Sequence, residues 1–492
     1  MTGADIAAGL AAALALEHLG YAFAGAFLGT LVGVLPGLGP VATVALLLPT
    51  TFLLPPAGSL IMLAGIYYGA QYGSSTTAIL LNVPGEASGA ITAVSGHKLA
   101  REGRAVEALA VATLASAVAG ILSALVLAIA TPALAQASLA VGSADVAAMM
   151  LLACVLAVVL SAAPLARGFA MLGLGGLLGL VGTPGPDGLP RFTFGLRALF
   201  DGIGFVPLVV GLFGLSEALA LAARGSGGGA VARIARWWPG AAAIRGWAAP
   251  ALRGSLVGAA IGLVPGATTL VSAFAAWSLE KRVSRHKPET RRDIAGVAAP
   301  EAANNASAQT GFVAMFGLGI PSNAVTAVLV GAMMIHGLPP GPALMDREPT
   351  LFWTFVGSML IANLMLVVLN LPLVGLWARL VTVPPLWLVP GIVLVSGVGV
   401  LASGGLAFDV VLLAVFGGFG YALRRTGFPL LPLLVGFVLA PIFEDHLRRA
   451  LAHARGDLAA LASEPIAAVL GATAALVLVL VLVRRARGIP GR

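Results

Sequence analysis

The sequence predicts an all-α polytopic membrane protein with about 11–13 hydrophobic segments in two structural repeats. Three observations carry that reading. The 492 residues are 59% hydrophobic and only 10% charged, with a mean hydropathy of +1.00, whereas soluble domains carry about 25% charged residues. Apolar runs near the roughly 20 residues that cross a bilayer recur from end to end. The second half also repeats motifs of the first in the same order. A β-barrel would show short alternating segments instead, and 64 glycines among Leu/Val/Ala runs suit packed helices.

Taken in order, the N-terminus "MTGADIAAGLAAALALEHLG" lacks a basic region and places Glu17 and His18 where a signal peptide would be cut. It reads as a retained amphipathic or interfacial helix. Candidate spans of the first repeat (1–223) are residues 20–54, 57–81, 106–131, 143–163, 168–185 and 201–223. A Gly-rich stretch at 224–253, with Arg224, Arg233, Arg236, Arg245, Arg253 and interfacial Trp237 and Trp238, reads as a basic cytoplasmic linker. The second repeat (254–450) holds candidate spans at 255–279, 311–336, 351–377, 386–403, 407–423 and 429–443. A C-terminal helix (465–485) and basic tail complete residues 451–492.

The repeats are read from three matches. "GTLVGVLPGLGPVATVALLLP" corresponds to "GAAIGLVPGATTLVSAFAAW", setting Pro36-Gly37 against Pro265-Gly266. "LNVPGEASGAIT" (81–92) corresponds to "LGIPSNAVTAVL" (318–329), setting Pro84 against Pro321. "PLVVGLFGLSE" (207–217) parallels "PLLVGFVLAPIFE" (432–444). Gly/Pro-interrupted spans at matching positions of two halves are the best sequence pointer to a transporter's binding site. Each repeat is therefore expected to hold a broken-helix or re-entrant hairpin. If that segment re-enters, each half has an odd number of crossings and the repeats invert, the reading favoured here; if it crosses, they run parallel.

In hydrocarbon every backbone polar group needs a partner, so broken helix survives only inside protein or beside a watery cavity. Pro84 removes a donor and disfavours helix before it, while Gly85 permits turn geometry. Tyr68, Gln71, Ser74, Ser75, Thr76, Thr77, Asn82 and Glu86 surround this break. Hydroxyls can donate to a carboxylate or coordinate a cation. An isolated serine more often joins helices, but four consecutive hydroxyls before Asn82 and a Pro-Gly break, repeated in kind, point to a site. The second-half counterpart is Glu301, Asn304 and Asn305, on one helical face, followed by Gly319, Pro321, Ser322 and Asn323. An ionisable group at membrane depth is a functional candidate. The alternative is interfacial pairing, of Glu301 with an arginine of 280–293 and of Glu86 with Lys98 or Arg101.

The net charge of +8 reflects basic segments between spans rather than affinity for nucleic acid. Cys154 stands alone, and six scattered histidines show no metal-ligand spacing. Asp145, Glu217, Asp409 and Glu444 sit at span ends, and His97 reads as a loop residue. No nucleophile–base set or Walker loop supports an enzyme. The alternatives are a passive anion channel, which also fits broken helices, another ion-coupled solute carrier without a binding protein, and a lipid-acting enzyme using Glu301; the polar breaks in both halves argue against a purely structural subunit.

The residues resemble the tripartite tricarboxylate transporter family, specifically its large permease subunit, the TctA family. The matching text is "GVLPGLGPVATVALLLPTTF", "YYGAQYGSSTTAILLNVPGEASGAITAVSGHKLAREGRA", "GTPGPDGLPRFTFG", "APEAANNASAQTGF" with "LGIPSNAVTAVLVGAM", and "GFVLAPIFEDHLRRAL". Ser322 departs from the glycine usual after the second proline, Ala440 from a usual glycine, and Asp145 from a common glutamate. The resemblance implies a secondary transporter of the bacterial inner membrane that imports di- or tricarboxylates by Na⁺ or H⁺ symport, without a cofactor. It implies two partners, a small four-helix membrane subunit (TctB-like) and a periplasmic solute-binding protein (TctC-like). Pro36, Gly37, Tyr68–Thr77, Asn82–Glu86, Pro265, Gly266, Glu301, Asn304, Asn305 and Gly319–Asn323 are the residues it marks.

Overall fold

The computed structural model describes residues 2–35, 38–138, 142–161, 163–185, 188–224, 237–264, 268–381, 383–404, 407–457 and 464–486. The first half runs α1 (Gly3–Ala13), α2 (Leu16–Gly33), α3 (Pro40–Leu47), α4 (Pro56–Leu81), α5 (Gly89–Arg101) and α6 (Ala105–Ser138). It continues through α7 (Ser143–Val159), α8 (Leu165–Gly179), α9 (Phe205–Val209), a π-helical stretch Val210–Leu215, and α10 (Ser216–Arg224). The second half runs α11 (Ala248–Gly262), α12 (Thr269–Val283), α13 (Glu289–Leu318), α14 (Ala324–Ile335), α15 (Pro342–Arg347) and α16 (Pro349–Asn370). Then come α17 (Val374–Leu380), α18 (Pro385–Gly404), α19 (Ala407–Arg425), α20 (Leu430–His453) and a last helix, α21 (Pro465–Ala486). Extended pairing among the described residues is limited to one bridge, Pro184 with Pro190.

Six described helices are long and apolar enough to cross a bilayer, and α1 with α2, bent by 63°, passes the same test as a pair. Three expected spans are each divided. Residues 20–54 form α2 and α3, and 255–279 form α11 and α12. Pro36, Gly37, Pro265 and Gly266 fall between those helices, outside the described residues. Residues 311–336 are split by the Gly319–Asn323 break, and the helix before it starts far earlier, at Glu289. The polar text of 289–310 hides that helix from a hydropathy reading. It tolerates polarity because protein rather than lipid surrounds it: every residue from Ile294 to Gly317 is buried. Helix α4 is covered in the same way from Gly58 to Leu80. His97, expected in a loop, lies within α5.

These two central helices are each backed by a partner through glycines. Gly25, Gly29 and Gly33 of α2 lie on the main chain of Met62, Ile66 and Ala70 of α4. Gly254, Gly258 and Gly262 of α11, each 229 residues later in the chain, lie on Ala299, Ala303 and Ser307 of α13. Small residues at this spacing let helices approach closely where lipid gives no hydrophobic drive. Both pairs run parallel within themselves. Helices α4 and α13 run oppositely, since Ser75 meets Glu301 at one level while Tyr68 meets Phe312 at another. The α2–α3 hairpin and the α11–α12 hairpin therefore enter from opposite ends of the molecule. Arg253 on α11 clasps Glu280 on α12 through two bonds of 2.9 and 3.0 Å, tying the mouth of the second hairpin. The long spans are exchanged: α6 packs on α11 and α13, and α16 on α2 and α4.

Both central helices end alike. Asn82 caps α4 at φ 56° and Gly319 caps α13 at φ 73°, and Gly319 stands 237 residues after Asn82. Two residues later comes a proline in each case, which cannot continue a helix. Asparagine tolerates this left-handed geometry where a β-branched residue would not. Asn82→Gly is expected to keep the thermal midpoint in detergent. Asn82→Val is expected to lower stability by about 1–2 kcal/mol. An unchanged midpoint in the valine variant would show that the left-handed cap contributes nothing.

Candidate functional site

Helix α4 carries Gln71 and Ser75 one turn apart, and α13 carries Glu301 and Asn305 one turn apart. The antiparallel run of the two helices sets these pairs against each other. Ser75 Oγ donates to Glu301 Oε2 at 2.7 Å, and the Glu301 side chain is wholly buried. Thr92 of α5, Ser116 of α6 and Tyr72 of α4 also neighbour this carboxylate. Asn305 Nδ2 donates to Ser116 Oγ at 2.8 Å and to the Glu301 carbonyl at 3.2 Å. No lysine, arginine or histidine among the described residues pairs with Glu301. The bond to Ser75 across the halves stands where an arginine of 280–293 was the alternative.

A second cross-half contact lies beside the first break. Asn304 Nδ2 donates to Glu86 Oε1 at 2.7 Å. Glu86 is half-buried and meets neither Lys98 nor Arg101; Lys98 instead bridges Glu289 and Asp293 at the exposed start of α13, at 2.6 and 2.9 Å. Those hydrogen bonds, to Glu289 and then Asp293, push the Lys98 ammonium above its ordinary range. The Tyr67 hydroxyl neighbours both Asn323 and Glu86, so the second break reaches the first through one ring.

The break itself is held by close approach. Gly85 N donates to Ser74 Oγ at 3.1 Å. A Cβ on Gly85 would sit 2.7 Å from that oxygen and 2.9 Å from the Leu38 carbonyl oxygen. Gly85 is not among the residues with positive φ, so the chain needs a missing side chain there rather than turn freedom. Pro84 lies half-buried beside it. On the other side, Asn323 caps α14: Thr326 N donates to Asn323 Oδ1 and Asn323 N to Thr326 Oγ1, both at 2.9 Å. Ser322 is buried against Gly311, and the positive φ falls at Gly319, before Pro321. The glycine missing after Pro321 is thus supplied three positions earlier.

Thr76 and Thr77 turn their hydroxyls to their own helix, toward Tyr72 O and Ser74 O, and so serve α4 itself. Tyr68 and Gln71 are fully buried, with the Tyr68 hydroxyl and both Gln71 amide atoms free of partners. Pro36, Gly37, Pro265 and Gly266 lie outside the described residues. Sequence reasoning passed over Tyr67, Thr92 and Ser116, and marked Tyr72 only within the Tyr68–Thr77 run. The tyrosines flank Gln71 in "YYGAQY", and Thr92 lies in the first turn of α5, the helix that follows the break. Ser116 carries no signal, being one serine in an apolar span.

The comparisons agree with this architecture. The model of the tripartite tricarboxylate transporter TctA family matches residues 19–435. An uncharacterized 52.8 kDa protein in the TAR-I ttuC' 3' region of Agrobacterium vitis is 44% identical over 466 residues, covering 94% of this chain and 93% of that protein. An uncharacterized protein in the TAR-II ttuC' 3' region of the same organism is 45% identical over 212 residues, covering 43% of this chain and 88% of that protein. No solved structure matches the chain. A family match over most of the sequence, on a helical framework with several spans, makes this chain a multi-pass membrane permease of the TctA family of tripartite tricarboxylate transporters.

Proposed function

We propose that the protein is the large subunit of an importer for di- or tricarboxylates, driven by symport of Na⁺ or H⁺ across a bacterial inner membrane. A small four-helix membrane subunit and a periplasmic solute-binding protein complete it, the latter delivering substrate. The observation that carries this reading is the meeting of the halves: Ser75 with Glu301 and Asn304 with Glu86 join two helices that each end in a break. Coupled cations offset the cost of moving an anion inward, about 2.3 kcal/mol per charge per 100 mV. The first turns of α5 and α14, which follow the breaks, and the amides of Asn304 and Asn323 offer donors for substrate carboxylates. The end carrying Lys98, Arg253, Lys281 and Arg292 faces the cytoplasm, as basic segments do.

The test is ion-driven uptake of a carboxylate panel into proteoliposomes holding the three subunits. Ser75→Ala with Asn304→Ala is expected to lower uptake at least about tenfold, each substitution removing a hydrogen bond to a carboxylate. Wild-type rates in that double variant would remove these residues from the transport path.

A further inference from the structure

At the basic end of the molecule a cavity of about 330 Å³ opens between α5, α12 and α13, with three carboxylates and three cations on its wall. The carboxylates are already neutralised. Arg253 and, at 3.9 Å, Lys287 pair with Glu280, and Lys98 bridges Glu289 and Asp293. The cations of the wall, Lys281, Arg285 and Arg292, have no carboxylate within ion-pair distance among the described residues. Lys281 lies over the Trp277 ring, 5.0 Å from its centre. Arg285 donates to His286 Nε2 at 2.7 Å, and Arg292 acts on Glu289 only from beyond ion-pair range. Positive charge left uncompensated at one cavity favours an anion there.

The neighbouring side chains say which anion. Along one face of α12 stand Phe274, Trp277 and Lys281, and Arg285 follows past the helix end. Phe274 is 45% exposed, and its ring lies 6.1 Å from that of Trp277. Apolar, amphipathic and charged groups in that order reproduce the passage from acyl chains to headgroups in a bilayer. We infer that this cavity binds the headgroup phosphate of an anionic phospholipid, Arg285 and Arg292 meeting the phosphate and Trp277 lying against the upper acyl chain. Arginine's planar fork suits phosphate oxygens, and basic pockets between helices at the cytoplasmic leaflet take such headgroups. A lipid seated there holds α12, the second arm of its hairpin, against α13.

The leaflet rests on the orientation proposed above, but lipid binding can be measured without transport. The purified full-length chain is melted in detergent with added phosphatidylglycerol, phosphatidylcholine, inorganic phosphate or citrate. Phosphatidylglycerol is expected to raise the thermal midpoint by several degrees over phosphatidylcholine, and native mass spectrometry to show it retained. Arg285→Gln with Arg292→Gln, both at exposed positions, is expected to match the wild type in phosphatidylcholine and lose most of the phosphatidylglycerol shift. Arg282→Gln with Arg291→Gln removes equal charge from the same segment but off the cavity wall, and is expected to keep the shift. Equal loss in both pairs, or no shift in the wild type, overturns the site. A shift reproduced by inorganic phosphate or citrate overturns the lipid in favour of a soluble anion. An assembled transporter that takes up no carboxylate while the phosphatidylglycerol shift stands would instead sink the transport reading and leave the lipid site in place.

Discussion

Gly29→Leu is expected to leave almost no folded protein in the membrane, and Gly258→Leu to do the same. At both positions even a Cβ would press into a main-chain carbonyl oxygen of the facing helix, that of Ile66 or Ala303. Backbone cannot rotate aside as a side chain can, so α2 must leave α4, or α11 must leave α13. Overpacking a tight core costs about 1–3 kcal/mol and more where nothing yields, and here the backing of a whole central helix is at stake. Size-exclusion profiles of a fluorescent fusion would report the loss. A monodisperse peak of normal height for either variant would mean that these helices do not pack as described.

Gly85→Val should give the opposite division of effects. Its side chain would collide with Ser74 Oγ and the Leu38 carbonyl, but the break is partly exposed and can swing outward. The protein is expected to fold while uptake falls by about 100-fold, the consequence of displacing binding groups by roughly 1 Å. Proteoliposome uptake and the thermal midpoint, measured on one preparation, separate the two effects. Full uptake would show that contact between the first break and the α2–α3 hairpin is dispensable.

The helical membrane class was legible because long apolar runs, in place of a barrel's short alternating segments, leave the helix as the way to satisfy a backbone in lipid. Both breaks were legible at Asn82–Pro84 and Gly319–Pro321, where the chemistry of proline is local. Helix α13 was not, because hydropathy measures preference for lipid and this helix never meets it. The candidate site was half legible. Glu301, Asn304, Asn305 and Ser75 announce themselves by being polar in apolar text, yet nothing in the sequence says that Asn304 reaches Glu86 or that Ser116 holds Asn305. The first depends on α13 lying beside the first break and α5, the second on α6 packing against the opposite half, long-range arrangements without a local signature. Thr76 and Thr77 mislead for the converse reason: a hydroxyl can satisfy its own helix, and the residue type does not tell which it does.

Because the two hairpin-bearing pairs point opposite ways and carry glycines in matched register, each half is a template for the other. If residues 16–101 and 248–335 exchanged paths, the exchange would define a second conformer. Spin labels on the exposed Leu53 and Ile335 therefore have two computable separations, and pulsed electron resonance under substrate and ion gradients can look for both in a single sample.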